Sequence, residues 1–171
     1  MRELTLDVES TIFKYPGEVK PNKRIGHPLA KWNKCVLIGW LEGDRCVTNV
    51  PDHMPYLQEL LDDALVIGFN IKFDLHWLRR LGFNVSRLKI WDCQIAEYML
   101  SGQRIQYASL NGTAEKYGLG SKLDIIEQEY WSKGIDTDEI PIDILTEYLR
   151  QDLILTYEVY KIQKEIFNAA N

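Results

Sequence analysis

The sequence has few cysteines and no long apolar run. Its three cysteines, Cys35, Cys46 and Cys93, form no CxxC pair, which argues against a disulfide framework or a zinc ribbon and predicts a reducing, cytoplasmic environment. No apolar run approaches the roughly 20 residues that span a bilayer, and the N-terminus lacks the hydrophobic region of a signal peptide. We therefore expect no membrane partner.

The composition is that of one folded domain. The chain has 171 residues, of which 46% are hydrophobic and 26% are charged. These values predict a single domain over residues 1–171 with a core of its own. The net charge of −5 argues against a general nucleic-acid coat, but it is compatible with a local basic surface.

Basic and acidic residues are concentrated in two different stretches. Residues 14–34 hold six basic residues against Glu18 alone, whereas residues 122–147 hold two lysines and eight carboxylates. The basic stretch also contains three prolines and two glycines, which predicts a long loop. Two interpretations stay open: both stretches are solvated surfaces, or the basic loop binds a polyanion.

The hydrophobic pattern predicts a mixed sheet of five strands. An alternating segment followed by a hairpin predicts three antiparallel strands. A wholly apolar strand, a helix and a further strand predict a parallel, right-handed βαβ unit. The predicted strands span residues 4–9, 36–41, 46–50, 64–69 and 88–91. The fold class is therefore α/β, with helices over 54–63, over 71–81 and from about 93 onward, the last beginning near Pro141.

Asp7 and Glu9 lie two residues apart on the first predicted strand. Side chains at i and i+2 leave the same face of a strand, with their Cβ atoms roughly 6–7 Å apart. Two carboxylates held together repel each other at neutral pH, so such a pair usually binds a cation or shares a proton. The alternative is a polar face of an edge strand that points to solvent.

Asn70 and Asp74 follow the apolar strand 64–69, where the chain passes into a helix. Ligands of open α/β sheets bind at the carboxyl ends of the strands, which makes both residues candidates for a site. The alternative is a local role, in which Asn70 caps the helix and Asp74 interacts with the helix dipole.

Tyr148 and Asp152 are four residues apart on the last predicted helix. This spacing places the phenol and the carboxylate on one helix face, about 5–6 Å apart at Cβ. That face borders the apolar stripe, so both groups are expected to face the sheet. The alternative is a Tyr–Asp hydrogen bond at the edge of the core.

The order of these three motifs resembles that of a known family. Asp-x-Glu, Asn-x-x-x-Asp and Tyr-x-x-x-Asp occur in the order seen in DEDD 3′–5′ exonucleases of the ribonuclease-H-like (DnaQ-like) superfamily. The chain resembles the tyrosine branch, because Glu147 stands where the other branch has histidine. Residues 91–119 are similar to proofreading domains of family A DNA polymerases, above all those of phages, whereas the loop 14–34 departs from them.

The resemblance implies a ribonuclease-H-like fold and a metal-dependent site. By this resemblance Asp7, Glu9 and Asp152 hold the first of two divalent cations, Mg²⁺ or Mn²⁺. Asp7 bridges to the second cation, which Asp74 supports, and Tyr148 orients the attacking water. A free phenol has a pKa of about 10, so tyrosine is a poor general base at neutral pH.

Further residues are candidates for substrate binding. Phe13 is placed to pack on the terminal base, and Asn70 and Phe73 are placed to line the nucleotide site. Cations of the basic loop are expected to hold the strand backbone through salt-dependent phosphate contacts. The loop residues chosen for this role are Lys20, Lys23 and Arg24.

The resemblance predicts a 3′–5′ exodeoxyribonuclease. Its expected substrate is a single-stranded or frayed 3′ end of DNA, its product a nucleoside 5′-monophosphate, and its role proofreading in replication. The expected partners are single-stranded DNA and a DNA polymerase domain or subunit. The expected oligomeric state is a monomer. The expected location is the cytoplasm, within a phage-infected bacterium if the phage likeness holds. Two alternatives stay open: an exoribonuclease of the ribonuclease D kind, and a non-catalytic domain that binds nucleic acid or a polymerase.

Overall fold

The core of the fold is a five-stranded mixed sheet. It is seen in a computed structural model that describes residues 2–17, 23–52, 54, 56–120 and 124–169. The strands are β1 (Arg2–Ser10), β2 (Cys35–Glu42), β3 (Arg45–Asn49), β4 (Ala64–Gly68) and β5 (Lys89–Asp92), in the order β3-β2-β1-β4-β5. The first three strands are antiparallel, whereas β4 is parallel to both β1 and β5. This confirms the predicted fold class.

Helices cover both faces of the sheet. They are α1 (Leu57–Asp62), α2 (Lys72–Arg80), α3 (Cys93–Leu100), α4 (Leu110–Lys116), α5 (Ile125–Glu129) and α6 (Ile142–Ala169). Two short 3-10 turns, Trp131–Lys133 and Thr137–Glu139, precede α6. The predicted βαβ unit is β4, α2 and β5.

The alternation of β1 divides its side chains between two cores. Leu4, Leu6 and Val8 are buried on the face that α1 and α2 cover. The opposite face of the sheet contributes apolar residues of β2 to a second core, which is closed by the stripe of leucines on α6. Asp7 and Glu9 alternate with the buried residues of β1, so they lie on the α6 side.

Gly39 allows α6 to approach the sheet at the position of Asp7. It is the partner of Asp7 in the β1–β2 pairing, and a Cβ atom at Gly39 would lie 2.8 Å from a methyl carbon of Leu153 and 2.9 Å from Leu149. A side chain here would push the helix away from the sheet. The glycine therefore sets the distance between the carboxylates of β1 and those of α6.

The remaining sequence expectations concern the membrane and the cysteines. In the described part of the chain, no helix combines the length and the hydropathy that a bilayer-spanning helix needs. Cys35, Cys46 and Cys93 are free thiols, and burial raises the pKa of Cys35 to about 12.

Candidate active site

Three carboxylates from distant parts of the sequence meet beside β1. Asp7 and Glu9 come from the strand and Asp152 from α6, and their carboxylate oxygens lie within 4.8 Å of one another. Glu9 and Asp152 are each only 8% exposed. Because like charges repel strongly when little water separates them, this arrangement suits a bound cation.

Asp74 lies next to the three carboxylates and has a structural contact as well. It sits in the first turn of α2, is 3% exposed, and its Oδ1 accepts a hydrogen bond from the backbone N–H of Val8 at 3.0 Å. Burial, and next the negative charge of Asp7, raise the pKa of Asp74 well above its usual value. The predicted fourth carboxylate is therefore close enough to Asp7 to interact with it.

Asp74→Asn is expected to stabilise the metal-free protein at neutral pH by on the order of 1–2 kcal/mol. Asparagine can still accept the hydrogen bond from Val8, but it removes a buried charge. An acid whose pKa is raised on folding stabilises the native state below its unfolded pKa of about 4, and this contribution is lost as the pH rises through the folded pKa. The advantage of the variant should therefore shrink toward pH 4.

Thermal unfolding of both proteins in a chelator, from pH 8 down to about pH 4, measures this difference. A variant that is less stable than the native sequence over this whole range would contradict the prediction. Asp62→Asn is a matched control, because Asp62 is an exposed carboxylate at the end of α1.

Tyr148 lies on α6 one turn before Asp152, and its side chain is partly buried. Its ring packs edge to face against Trp131, with the ring centroids 6.0 Å apart. Burial, followed by the charges of Asp152 and Glu9, raises the pKa of the Tyr148 hydroxyl far above its usual value. Without bound metal, the hydroxyl therefore keeps its proton at neutral pH and can donate a hydrogen bond.

Asn70 does not cap helix α2. The N-cap position belongs to Ile71, which makes no side-chain capping bond, so the local alternative considered for Asn70 is wrong. Asn70 instead has a positive φ of 57°, a conformation that asparagine tolerates better than most residues. Its backbone N–H donates to Oδ1 of Asp92 at 3.0 Å, and this bond holds the turn at the end of β4.

Asn70 and Phe73 line one cleft of about 370 Å³. The cleft lies between the start of α2 and the loop segment His27–Leu29, and it is also lined by Lys72 and His76. Phe13 lies elsewhere: its side chain is partly buried, and its backbone N–H donates to Asp136 at 3.2 Å. The proposed contacts of Phe13, Asn70 and Phe73 with a nucleotide stay predictions.

The basic loop and the acidic stretch contact each other. Lys14 and Lys34 pair with Asp138 at 2.9 and 2.8 Å, and Arg24 pairs with Glu127 at 2.5 Å. Neither stretch is therefore simply a solvated surface, because each neutralises part of the other. Three of the six basic residues counted in the loop are therefore already in ion pairs.

The three loop residues predicted to bind substrate now differ in their surroundings. Lys20 lies outside the described residues. Lys23 is exposed and makes no ion pair with any residue that the structure describes. Arg24 is already paired with Glu127. Their binding of phosphate stays a prediction.

Sequence reasoning missed Asp136, which attaches the start of the loop to the acidic stretch. Its carboxylate is 1% exposed and accepts hydrogen bonds from the backbone N–H groups of Ile12 and Phe13. Both donors follow Glu9 by three or four residues. Its local bond from the backbone N–H of Thr137 caps a short turn, whereas the donors that attach the loop lie more than 120 positions away in the sequence, which no local pattern indicates.

A comparison with protein families decides the classification. Residues 26–166 match the family model for 3′–5′ exonuclease domains that is named for family A DNA polymerases. The chain belongs to this 3′–5′ exonuclease family. The resemblance drawn from the three motifs is thereby confirmed. No curated protein sequence is similar enough to count as a match.

Solved nuclease structures share the fold. The catalytic core of RRP6 from Trypanosoma brucei superposes with a TM-score of 0.68 at 15% identity, over 99% of this chain and 42% of that chain. NrnC from Brucella melitensis with bound Mg²⁺ gives a TM-score of 0.67 at 16% identity, over 95% of this chain and 72% of that chain. This chain therefore spans less than half of the RRP6 core, and at these identities the likeness shows the fold alone.

The donor set suits a divalent cation that prefers oxygen. The cluster of Asp7, Glu9 and Asp152 offers only carboxylate oxygens, which are the ligands that Mg²⁺ and Mn²⁺ favour over the thiolates and imidazoles typical of Zn²⁺. The negative charge of Asp7 contributes to the raised pKa of Asp74. A cation bound between them would offset that charge and lower the pKa again.

Proposed function

We propose that this 3′–5′ exonuclease hydrolyses single-stranded or frayed 3′ ends of DNA, releases nucleoside 5′-monophosphates and proofreads during replication. The proposal is supported by the match to an exonuclease family named for family A DNA polymerases. It is supported as well by the likeness of residues 91–119 to the proofreading domains of such polymerases. A DNA polymerase domain or subunit is the proposed partner.

One observation carries the proposal of hydrolysis. Asp7, Glu9 and Asp152 converge within 4.8 Å, with Asp74 and Tyr148 beside them. A domain that only binds nucleic acid has no chemical need for buried carboxylates, since they repel phosphate and cost stability. We therefore prefer an enzyme to a docking domain.

Each residue has a proposed role in the reaction. Asp7, Glu9 and Asp152 would hold one divalent cation, Mg²⁺ or Mn²⁺, and Asp7 with Asp74 would hold a second. When bound, such cations lower the pKa of water and offset the negative charge that develops on phosphate. The protonated hydroxyl of Tyr148 orients the attacking water toward phosphorus. As the water oxygen bonds to phosphorus and loses a proton to solvent, the bond from phosphorus to the 3′ oxygen of the preceding nucleotide breaks, and that oxygen takes up a proton.

The decisive experiment follows the release of mononucleotides from labelled oligomers. A single strand labelled at its 3′ end is incubated with the full chain, with Mg²⁺ and with a chelator. Matched DNA and RNA strands, a paired duplex and a duplex with a mismatched 3′ terminus are compared. We expect single-stranded and mismatched DNA to be hydrolysed faster than the paired duplex, since melting of a paired end costs about 1.4 kcal/mol per stacked step.

The other outcomes of this experiment are equally informative. Faster hydrolysis of RNA would favour the exoribonuclease alternative. Binding without release of nucleotides in any metal would favour the docking domain. In a parallel assay on a closed circular DNA, nicking at a comparable rate would indicate an endonuclease.

Tyr148→Phe is expected to lower kcat by about 10- to 100-fold, which is less than the loss expected for Asp152→Asn. Phenylalanine keeps the ring that packs on Trp131 and removes only the hydroxyl that orients water. KM should change little. The measurement is kcat and KM on the 3′-labelled single strand for both variants. A larger loss for Tyr148→Phe than for Asp152→Asn would show that the two roles are reversed.

Lys23→Ala is expected to raise KM and to flatten its dependence on salt, with kcat nearly unchanged. Lys23 is exposed and makes no ion pair within the described part of the chain, so its charge is available to a phosphate. Loss of one phosphate contact reduces the slope of log K against log salt by about 1. Lys89→Ala is the control, because Lys89 begins β5 whereas the candidate site lies at the carboxyl ends of the strands. Wild-type affinity of Lys23→Ala at low and moderate salt would contradict the prediction.

A further inference from the structure

The guanidinium group of Arg24 lies between two residues of the acidic stretch. Its Nη2 contacts Oε1 of Glu127 at 2.5 Å, and its central carbon lies 5.4 Å from the ring centroid of Trp131. A cation over the face of an indole ring is attracted by the ring quadrupole. Arg24 is thus held by both an ion pair and a ring, although its side chain is still 39% exposed.

Trp131 connects Arg24 with the candidate active site. Its ring packs edge to face on Tyr148, at a centroid distance of 6.0 Å and an interplanar angle of 78°. Its indole N–H donates to Oγ1 of Thr137 at 3.2 Å, and Thr137 is fully buried. The hydrogen bond fixes one edge of the indole and Arg24 covers one face, so Tyr148 packs against a ring whose orientation is determined.

The loop is attached to the same acidic stretch at its start. Asp136 accepts hydrogen bonds from Ile12 at 2.8 Å and Phe13 at 3.2 Å, and Lys14 pairs with Asp138 at 2.9 Å. Arg24 adds a second attachment further along the loop. Lys34, at the end of the loop, pairs with Asp138 as well, so the loop is joined to the acidic stretch at its start, at Arg24 and at its end.

We propose that Arg24 is a positioning residue, which holds Trp131 and through it the side chain of Tyr148. This inference rests on the proposed function, because the position of Tyr148 matters only if the site hydrolyses its substrate. It assigns Arg24 a different role from Lys23, because Glu127 offsets the charge of its guanidinium and its face lies over the ring of Trp131. Loss of Arg24 therefore acts on the chemical step and not on affinity.

The test compares four variants of the full chain: Arg24→Ala, Arg24→Lys, Glu127→Gln and Lys161→Ala. Lys161 is a matched control on α6, since it pairs with Glu158 at 2.8 Å and lies 5.3 Å from the ring of Tyr157, away from the carboxylate cluster. For each variant, kcat and KM are measured on the labelled single strand at several salt concentrations. Tryptophan emission is recorded alongside, with Trp131→Phe identifying the signal of that residue.

We expect Arg24→Ala to lower kcat by about tenfold or more, as a small displacement of a catalytic group does. KM and its salt dependence should stay within about twofold of the native values. Arg24→Lys keeps the charge but loses the planar guanidinium, so its kcat should lie between those of Arg24→Ala and the native chain. Glu127→Gln should lower kcat in the same direction, and Lys161→Ala should match the native chain. The emission of Trp131 should change in Arg24→Ala.

Three results would overturn the inference. A raised KM with a flattened salt dependence and an unchanged kcat in Arg24→Ala would show that Arg24 binds phosphate. Unchanged kcat and KM would show that it has neither role. Unchanged emission of Trp131 would show that Arg24 does not hold the indole. By contrast, a native chain that releases no nucleotides from any strand would refute the proposed function itself.

Discussion

Replacing Asp152 or Asp7 by asparagine is expected to lower hydrolysis by at least about 10³-fold. The carboxylate oxygens of Asp7, Glu9 and Asp152 lie within 4.8 Å of one another, so each substitution removes one ligand charge from a site proposed to stabilise the transition state. Asparagine has nearly the same shape as aspartate, which leaves the packing beside Gly39 undisturbed. The measurement is kcat on a 3′-labelled single strand with saturating Mg²⁺.

The same variants should fold as well as the native chain or better when no metal is present. Each relieves repulsion between clustered carboxylates, and repulsion of this kind lowers the free energy of unfolding. Thermal unfolding in a chelator measures the stability of each variant without metal. It distinguishes a variant that has lost only a metal ligand from one that no longer folds. Asp44→Asn is the control, because Asp44 is exposed in the turn between β2 and β3. Native rates in the Asp7 variant would refute the proposed site.

Chelation of divalent metal is expected to abolish hydrolysis, and Mg²⁺ or Mn²⁺ is expected to restore it in a saturable manner. The cluster offers only carboxylate oxygens, and its charges repel a phosphate unless a cation offsets them. Binding to the native state alone also stabilises it, so the same metals should raise the unfolding temperature with increasing concentration.

Asp152→Asn provides the matched comparison for the metal experiment. This variant lacks one ligand, and its unfolding temperature should therefore respond less to Mg²⁺ than that of the native chain. Hydrolysis at the full rate in excess chelator would contradict a metal-dependent mechanism. Hydrolysis that Zn²⁺ supports better than either Mg²⁺ or Mn²⁺ would contradict the preference expected from oxygen ligands.

The loop predictions separate two effects that a combined replacement of Lys20, Lys23 and Arg24 would mix. Lys23 is expected to act on KM and Arg24 on kcat, although the two residues are adjacent in the sequence. The difference arises because Arg24 contacts Glu127 and Trp131, whereas Lys23 makes no ion pair with the described residues. Separate variants of Lys23 and Arg24 therefore distinguish an effect on KM from an effect on kcat, which a combined variant cannot do.

Local patterns were sufficient to predict the five strands and helices α1, α2 and α6, whereas the segment between β5 and α6 was predicted only as helical and was not divided into α3, α4 and α5. The alternation of β1, the apolar β4 and the leucine stripe of α6 each depend on residues a few positions apart, so the sequence encodes them directly. The boundaries shifted by one to three residues, as in α1, which begins at Leu57. The helix-capping alternative for Asn70 failed for a tertiary reason: its backbone bonds to Asp92 on β5, and helix capping propensity says nothing about that partner.

The sequence by itself determined which residues are candidates for the chemistry, because Asp-x-Glu and Tyr-x-x-x-Asp are short spacings that place side chains on one face of a strand or a helix, and Asn-x-x-x-Asp directly follows an apolar strand. Only the tertiary structure decided that these faces meet. Gly39 lets α6 approach β1, and Asp136 ties the loop to a segment more than 120 residues away. Such contacts depend on packing between distant segments, which no local spacing records.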